Sequence, residues 1–184
     1  MKVIVFASSP NSDGLTQACA DAACEGVRAA GVQADLLRIN DARVGLCHAC
    51  AQGWGTCRTE HRCQTSDGFQ DMHEATKAAD GYIVVSPVYW GELSESAKAF
   101  FDRLRRCEAT RGEESALAGK PALGVAAAGG GGGGTVSCLD QMNRLFAHLR
   151  ANVFDLVPIT RKSRPYKVDT IRRAAEAMAK EMMA

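Results

Sequence analysis

Five short apolar, β-branched runs alternate along this chain with five helical patterns, and few folds accommodate that alternation. The runs are Lys2 to Ala7, Val32 to Ile39, Tyr82 to Ser86, Ala122 to Ala127 and Val153 to Val157. Short runs of this kind read as strands buried on both faces of a parallel sheet. The spacing of apolar residues predicts helices over Gly14 to Ala30, Gly68 to Ala79, Ser94 to Arg106 and Val136 to Leu149, and a last one from about Val168 to Met183. Leu93, Ala97, Phe100, Phe101 and Leu104 share one helical face, as do Leu139, Met142, Leu145, Phe146 and Leu149. Ser94 stands where an N-cap is needed. Strand–helix repetition gives a parallel sheet with helices on both faces.

Five strands and five helices predict an α/β, flavodoxin-like three-layer sandwich, with a five-stranded parallel sheet in the order 2-1-3-4-5. The 184 residues are read as a single domain spanning 1–184, with one Cys-rich excursion at 40–67. A formal net charge of +1 leaves no global field for nucleic acid or a membrane surface. No apolar run reaches the roughly 20 residues of a membrane helix. The run Val3 to Ala7 is too short for a signal core and is followed by turn residues. Eight cysteines without an export signal point to a reducing compartment, so the expected location is cytoplasmic.

Ligands in open α/β sheets bind outside the carboxyl ends of the strands, and three of the loops expected there are unusual. The first, Ser8 to Thr16, carries hydroxyls into a helix N-terminus, a ready anion site. It has no Lys or Arg from Val3 to Val27, so neutral donors and the helix dipole would hold any phosphate. The same residues also suit a plain capping turn. The second loop, Ser86-Pro87-Val88-Tyr89-Trp90-Gly91, presents two large aromatics side by side, either a wall for a planar ring or anchors for the loop. The third is six glycines, Gly129 to Gly134. It satisfies G-x-G-x-x-G only as any glycine run would, and it lies too late in the chain to open a dinucleotide-binding half. A run without side chains lets a flat ligand approach the backbone, or acts as a flexible linker. Together the three loops describe a site for a phosphorylated planar ring, and FMN fits best.

On these residues the chain resembles the NADPH-dependent FMN reductase family of the flavodoxin-like superfamily, and the related iron–sulfur flavoproteins. The likeness runs from Val3 to about Leu149. It rests on Ser9-Pro10-x-x-x-Gly14-x-Thr16, on Ala79-Asp80-Gly81, on Ser86 to Trp90, on the helix Ser94 to Arg106 and on the glycine loop. The resemblance implies that Ser9, Asn11, Leu15 and Thr16 hold the FMN phosphate. It implies that Pro87, Val88, Tyr89, Trp90 and Gly91 line the isoalloxazine, with Ala128, Gly129 and Gly130 on the other side. Many relatives have a basic residue where Asn11 stands, so the phosphate meets less charge here. Relatives also tend to be homodimers or homotetramers.

The expected activity is that of an FMN-dependent NAD(P)H oxidoreductase. Hydride would pass from NAD(P)H by way of flavin N5 to a small electron acceptor: a quinone, flavin, nitro or azo compound, or metal ion. The cofactor carries that chemistry, so the lack of an acid–base pair is no objection. The alternative is a flavodoxin-like or iron–sulfur flavoprotein electron carrier without its own small-molecule substrate. Carriers of the flavodoxin type are usually strongly acidic, against the +1 here.

Cys47, Cys50, Cys57 and Cys63 follow the spacing C-x2-C-x6-C-x5-C. Iron–sulfur flavoproteins place a third cysteine two residues after the second, where this chain has Gly53. The favoured reading is a lid of structural or redox-active thiols, with a cluster or a zinc ion as the other. Cys19, Cys24, Cys107 and Cys138 are expected to be inert helix thiols. The four histidines show no ligand spacing. Arg103, Arg105, Arg106 and Arg111 are expected to form a solvated basic face.

Overall fold

Alternate residues of the central strands feed two separate cores. In the computed structural model, which describes residues 1–184, β1 (Lys2–Ala7) sends Ile4 and Phe6 to one face and Val3, Val5 and Ala7 to the other. β3 (Gly81–Pro87) divides Tyr82 and Val84 from Ile83 and Val85 in the same way. The period-2 geometry of a strand makes this unavoidable once both faces are covered. β2 (Gln33–Arg38), β4 (Pro121–Ala128) and β5 (Asn152–Thr160) complete a wholly parallel sheet in the order β2-β1-β3-β4-β5. This is the flavodoxin-like order that the sequence predicts.

One face is covered by α1 (Leu15–Ala29) and α6 (Arg164–Glu181). The other is covered by α3 (Phe69–Lys77), α4 (Glu95–Glu108) and α5 (Thr135–His148). The single-turn α2 (Thr56–Thr59) lies in the cysteine excursion. The predicted helix faces are the buried ones, from Leu93 to Leu104 on one side and Leu139 to Leu149 on the other. Ser94 caps α4 by accepting from the Ala97 N–H at 3.3 Å. No helix is long and apolar enough to cross a membrane.

Most boundaries fall within two residues of expectation, and two differ by three or more. β5 runs three residues beyond Val157, through Pro158, because it is an edge strand and a missing N–H there leaves no ladder partner unsatisfied. The register shift opposite Ala122 and Leu123 leaves Phe154 as the extra residue of a bulge. α6 begins at Arg164 rather than Val168, since Pro165 in the first turn starts a helix instead of breaking it.

Two buried side-chain pairs tie α3 and the residues just ahead of it to α4. His73 of α3 lies 2.6 Å from the Glu108 carboxylate, both fully buried, and Ser115 donates to the other Glu108 oxygen at 2.6 Å. Burial opposes the charged form of Glu108, but these two bonds outweigh it and hold the carboxyl below its ordinary range. Arg103 of α4 reaches Asp67 with two bonds of 2.6 and 2.9 Å. Arg103 is only 1% exposed, with its guanidinium 4.4 Å from the Phe69 ring, so the expectation of a solvated face fails here. A carboxylate ahead of α3 and an aromatic platform draw this arginine inward. Arg106 also departs from that expectation, lying over the Trp54 ring at 4.2 Å.

Candidate functional site

Since all five strands run the same way, the loops after β1, β3 and β4 leave the same edge of the sheet, and the structure joins them in a chain of contacts. Ser8 donates its backbone N–H to Val85 at 3.2 Å. Ser94 Oγ donates to the Ser8 carbonyl at 2.9 Å, while the Ser94 N–H donates to Ser86 Oγ at 3.1 Å. Ser96 Oγ adds bonds to the Ser8 carbonyl and to Asn40 Oδ1 at 3.3 and 3.2 Å. This hydroxyl network welds the β1 loop to the β3 loop and to the chain after β2. Sequence reading singled out neither Ser96 nor Asn40; the only signal for Ser96 was a cluster of small polar residues at the start of α4, and Asn40 follows β2 with none.

The β1 loop supplies an uncapped helix. Gly14 occupies the N-cap position of α1 with extended backbone, no side chain caps the helix, and no acidic residue stands in its first turn. The N–H groups of that turn are therefore left without a side-chain acceptor, the condition in which a helix end holds an anion. Ser9 and Thr16 are buried beside it, and Ser9 Oγ accepts from the Asn11 N–H at 3.2 Å. Asn11 itself is exposed and Leu15 half-buried.

The β3 loop is a tight turn. Tyr89 and Glu92 exchange backbone bonds of 3.0 and 2.9 Å, and the two residues between them, Trp90 and Gly91, have φ of 55° and 84°. Positive φ at both central positions is the signature of a type I′ turn, normal for glycine but costing a tryptophan about 1–2 kcal/mol. The turn throws Trp90 entirely into solvent, at 103% exposure, with Tyr89 at 38%. The turn therefore holds an exposed Trp in a costly backbone conformation, the kind of strain that binding and active sites often retain. Tyr89, Trp90 and Val88 line an open groove of about 650 Å³, and Leu46 of the cysteine excursion shares it. That groove does not include Pro87, Gly91, Ala128, Gly129 or Gly130, so the sequence-based set does not enclose a single cavity. Leu46, 70% exposed, lines it with Glu92, Leu93, Glu95 and Lys98, none of which sequence reading placed at the site.

The glycine loop has two ends with different roles. Gly134 is the N-cap of α5 with φ of 83°, and a Cβ there would lie 2.5 Å from the Gly91 Cα. Backbone meets backbone at this point, so the aromatic turn rests directly on the end of the glycine run. Ser137 Oγ donates to the Gly91 carbonyl at 2.8 Å, and the Leu93 N–H donates to Gln141 Oε1 at 2.9 Å, clamping the turn to α5. Gly129 and Gly130 are different: both are exposed, and a Cβ on either meets nothing within 4 Å. Ala128, at the strand end, is buried. An uncapped helix end, exposed aromatics and a bare backbone ledge on one edge fit a phosphorylated planar cofactor such as FMN.

The thiols gather elsewhere. Cys47, Cys50, Cys57 and Cys63 line one narrow pocket of about 20 Å³ together with His48, Arg103, Arg106 and Cys107. Cys107 is buried as expected, but it faces this pocket. Burial pushes its thiol up to about 12, and Cys63 and Cys57 add to the effect. No three His, Cys, Asp or Glu side chains come close enough to hold a metal ion. Arg103 Nη2 donates to Cys63 Sγ at 3.3 Å, setting a fixed cation against one of the four thiols. Room for about one water and a guanidinium on a would-be ligand do not fit an iron–sulfur cluster.

Comparison with known proteins follows the same lines. An iron–sulfur flavoprotein from Methanosarcina thermophila is 34% identical over 103 residues, covering 56% of this chain and 52% of that protein. The chain thus spans about half the length of the curated relatives it matches. Among solved structures, an NAD(P)H:quinone oxidoreductase from Methanothermobacter marburgensis superposes with a TM-score of 0.72 at 17% identity, covering 97% of this chain and 96% of that one. An oxidoreductase from Corynebacterium diphtheriae gives 0.69 at 20% identity, covering 99% and 96%. At these identities the structural likeness speaks for the fold. The family described as NADPH-dependent FMN reductase matches residues 1–160, a span holding every strand and all three loops of the sheet edge. The chain belongs to the NADPH-dependent FMN reductase family.

Proposed function

We propose that this protein is an FMN-dependent NAD(P)H oxidoreductase acting on a small electron acceptor. The observation that carries the reading is the continuity of the sheet edge, from the uncapped N-terminus of α1 through Ser94 to the Trp90 turn and the glycine ledge. The first-turn N–H groups of α1, with the Ser9 and Thr16 hydroxyls, would hold the phosphate by dipole and neutral donors. Asn11 lies beside them. Gly129 and Gly130 leave the backbone open to a flat ring, and Tyr89 and Trp90 offer it an aromatic surface. Bound there, FMN supplies a ring that accepts hydride from NAD(P)H at N5 and passes electrons to a quinone, flavin, nitro or azo compound, or metal ion. The residues of the chain position the ring and keep one face open, and no side chain need move a proton. The reading includes a homodimer or homotetramer and no nucleic-acid or membrane partner.

The test is the visible spectrum of anaerobically purified protein before and after NADPH. Flavin bands that bleach on addition are the expected result. Bands that persist support the electron-carrier alternative, and a colourless protein that takes up no added FMN refutes the cofactor assignment.

A further inference from the structure

The thiol pocket poses a question that the flavin reading leaves unanswered. Five of the eight cysteines border it, yet their arrangement suits no metal ion. Two arginines border it as well, and each has a buried Nε without a hydrogen-bond partner. Arg103 is nine-tenths buried and more, and donates to the Cys63 sulfur. Such a donor offsets the negative charge that appears on sulfur when it attacks, or leaves, a disulfide.

Local geometry picks the partner thiol. Thr56 Oγ1 donates to the Arg62 carbonyl at 2.7 Å, closing a loop whose ends are followed in the chain by Cys57 and Cys63. Both sulfurs are half-buried and line the same pocket. Cys107 is excluded as attacking group, since it is fully buried and its thiol is held protonated.

We propose that Cys57 and Cys63 form a dithiol–disulfide exchange site, with Cys63 as the attacking sulfur and Arg103 as the residue that stabilises its charge. The co-reactant is a low-molecular-weight disulfide such as oxidised glutathione. Cys63 Sγ, having given up its proton to solvent, bonds to one glutathione sulfur, and the second glutathione leaves as thiolate with the electron pair. Cys57 Sγ, likewise deprotonated, then bonds to Cys63 Sγ and expels the first glutathione as thiolate. The protein dithiol is oxidised by two electrons and one glutathione disulfide is reduced to two glutathiones, which take up two protons.

A hydrogen-bonded path joins the thiol pocket to the aromatic groove. Arg103 Nη1 donates to the Gly45 carbonyl at 3.0 Å, and the Gly45 N–H donates to Asp67 at 2.9 Å. Gly45 precedes Leu46, the residue that shares the groove with Tyr89 and Trp90.

The experiment uses the reduced 184-residue chain, exposed without oxygen to oxidised glutathione, alkylated at intervals and mapped by mass spectrometry. The expected result is a Cys57–Cys63 link that forms before any other pair. Cys57→Ser should stop at a glutathione adduct on Cys63, Cys63→Ser should remove that adduct, and Arg103→Lys should slow it at least tenfold. Adducts spread evenly over Cys47, Cys50, Cys57 and Cys63 overturn the proposal. So does iron or zinc that is bound in the purified protein and lost on replacing Cys57 and Cys63.

Discussion

Gly130 and Gly134 stand four residues apart in the same glycine run, and the structure predicts opposite consequences for replacing them. A side chain at Gly134 would have to adopt φ of 83° and place its Cβ 2.5 Å from the Gly91 backbone. The left-handed conformation costs alanine about 1–2 kcal/mol. Overpacking against a backbone that Ser137 and Gln141 already clamp adds about 1–3 kcal/mol. Together these give about 2–5 kcal/mol, which for a chain of 184 residues lowers Tm by about 5–13 °C. Gly130 is exposed with nothing within 4 Å of a built Cβ, so Gly130→Val should change stability by less than about 1 kcal/mol. Its side chain would instead fill the ledge proposed for the flavin ring. A tenfold loss of FMN affinity, about 1.4 kcal/mol, is expected. Calorimetric melting of the apo-proteins and fluorescence titration with FMN separate the two effects. A Gly134→Ala protein that melts like wild type refutes the backbone-contact argument. A Gly130→Val protein that binds FMN normally makes the free end of the run a mere linker.

The double substitution Tyr89→Ala and Trp90→Ala removes exposed side chains, so the fold should survive while FMN retention falls at least tenfold; wild-type flavin content after purification would sink the aromatic assignment. For Asp67, burial raises the carboxyl, but hydrogen bonds from Arg103 and the Gly45 and Phe69 N–H groups outweigh it and hold it at about 2, against an ordinary 3.8. A depressed carboxylate stabilises the fold above its unfolded value and loses that contribution as pH falls from about 4 through about 2, here about 2 kcal/mol. Asp67→Asn should therefore be less stable at pH 7 by about 2 kcal/mol and lack that part of the acid limb in urea titrations; an unchanged limb refutes the pairing. Glu108→Gln leaves His73 and Ser115 without their carboxylate in a buried site, and denaturant unfolding should show a loss of about 2–4 kcal/mol.

The sheet was legible because every central strand is apolar on both faces and every gap held a helical period. β1 matches its expected span, Lys2–Ala7, residue for residue. Pro158 hid the end of β5 because the cost of proline depends on whether a neighbouring strand needs its N–H, and position in the sheet is not written locally. Candidate loops were legible for a related reason: topology alone sends them to one edge. Their internal geometry was not. Tyr-Trp-Gly-Glu suggests a wall, yet two positive φ values turn Trp90 outward, and Leu46, distant in the chain, shares its groove. Arg103 reads as a solvated residue of a basic helix until Asp67 and Phe69 arrive from a distant segment. Ionic partners of that kind are long-range choices that composition does not record.

The two tryptophans of this chain fall one to each region of interest. Trp90 sits bare at the tip of the aromatic turn, whereas Trp54 lies beneath Arg106 at the thiol pocket. Their emission should differ accordingly, water-like from the first and modulated by a neighbouring cation from the second. Single-tryptophan versions would turn each into a local optical gauge. With Trp54 replaced, quenching follows ligands arriving at the sheet edge; with Trp90 replaced, the signal follows the oxidation state of the thiols. A conversation between the two regions would then be visible as one gauge moving when only the other's site is titrated.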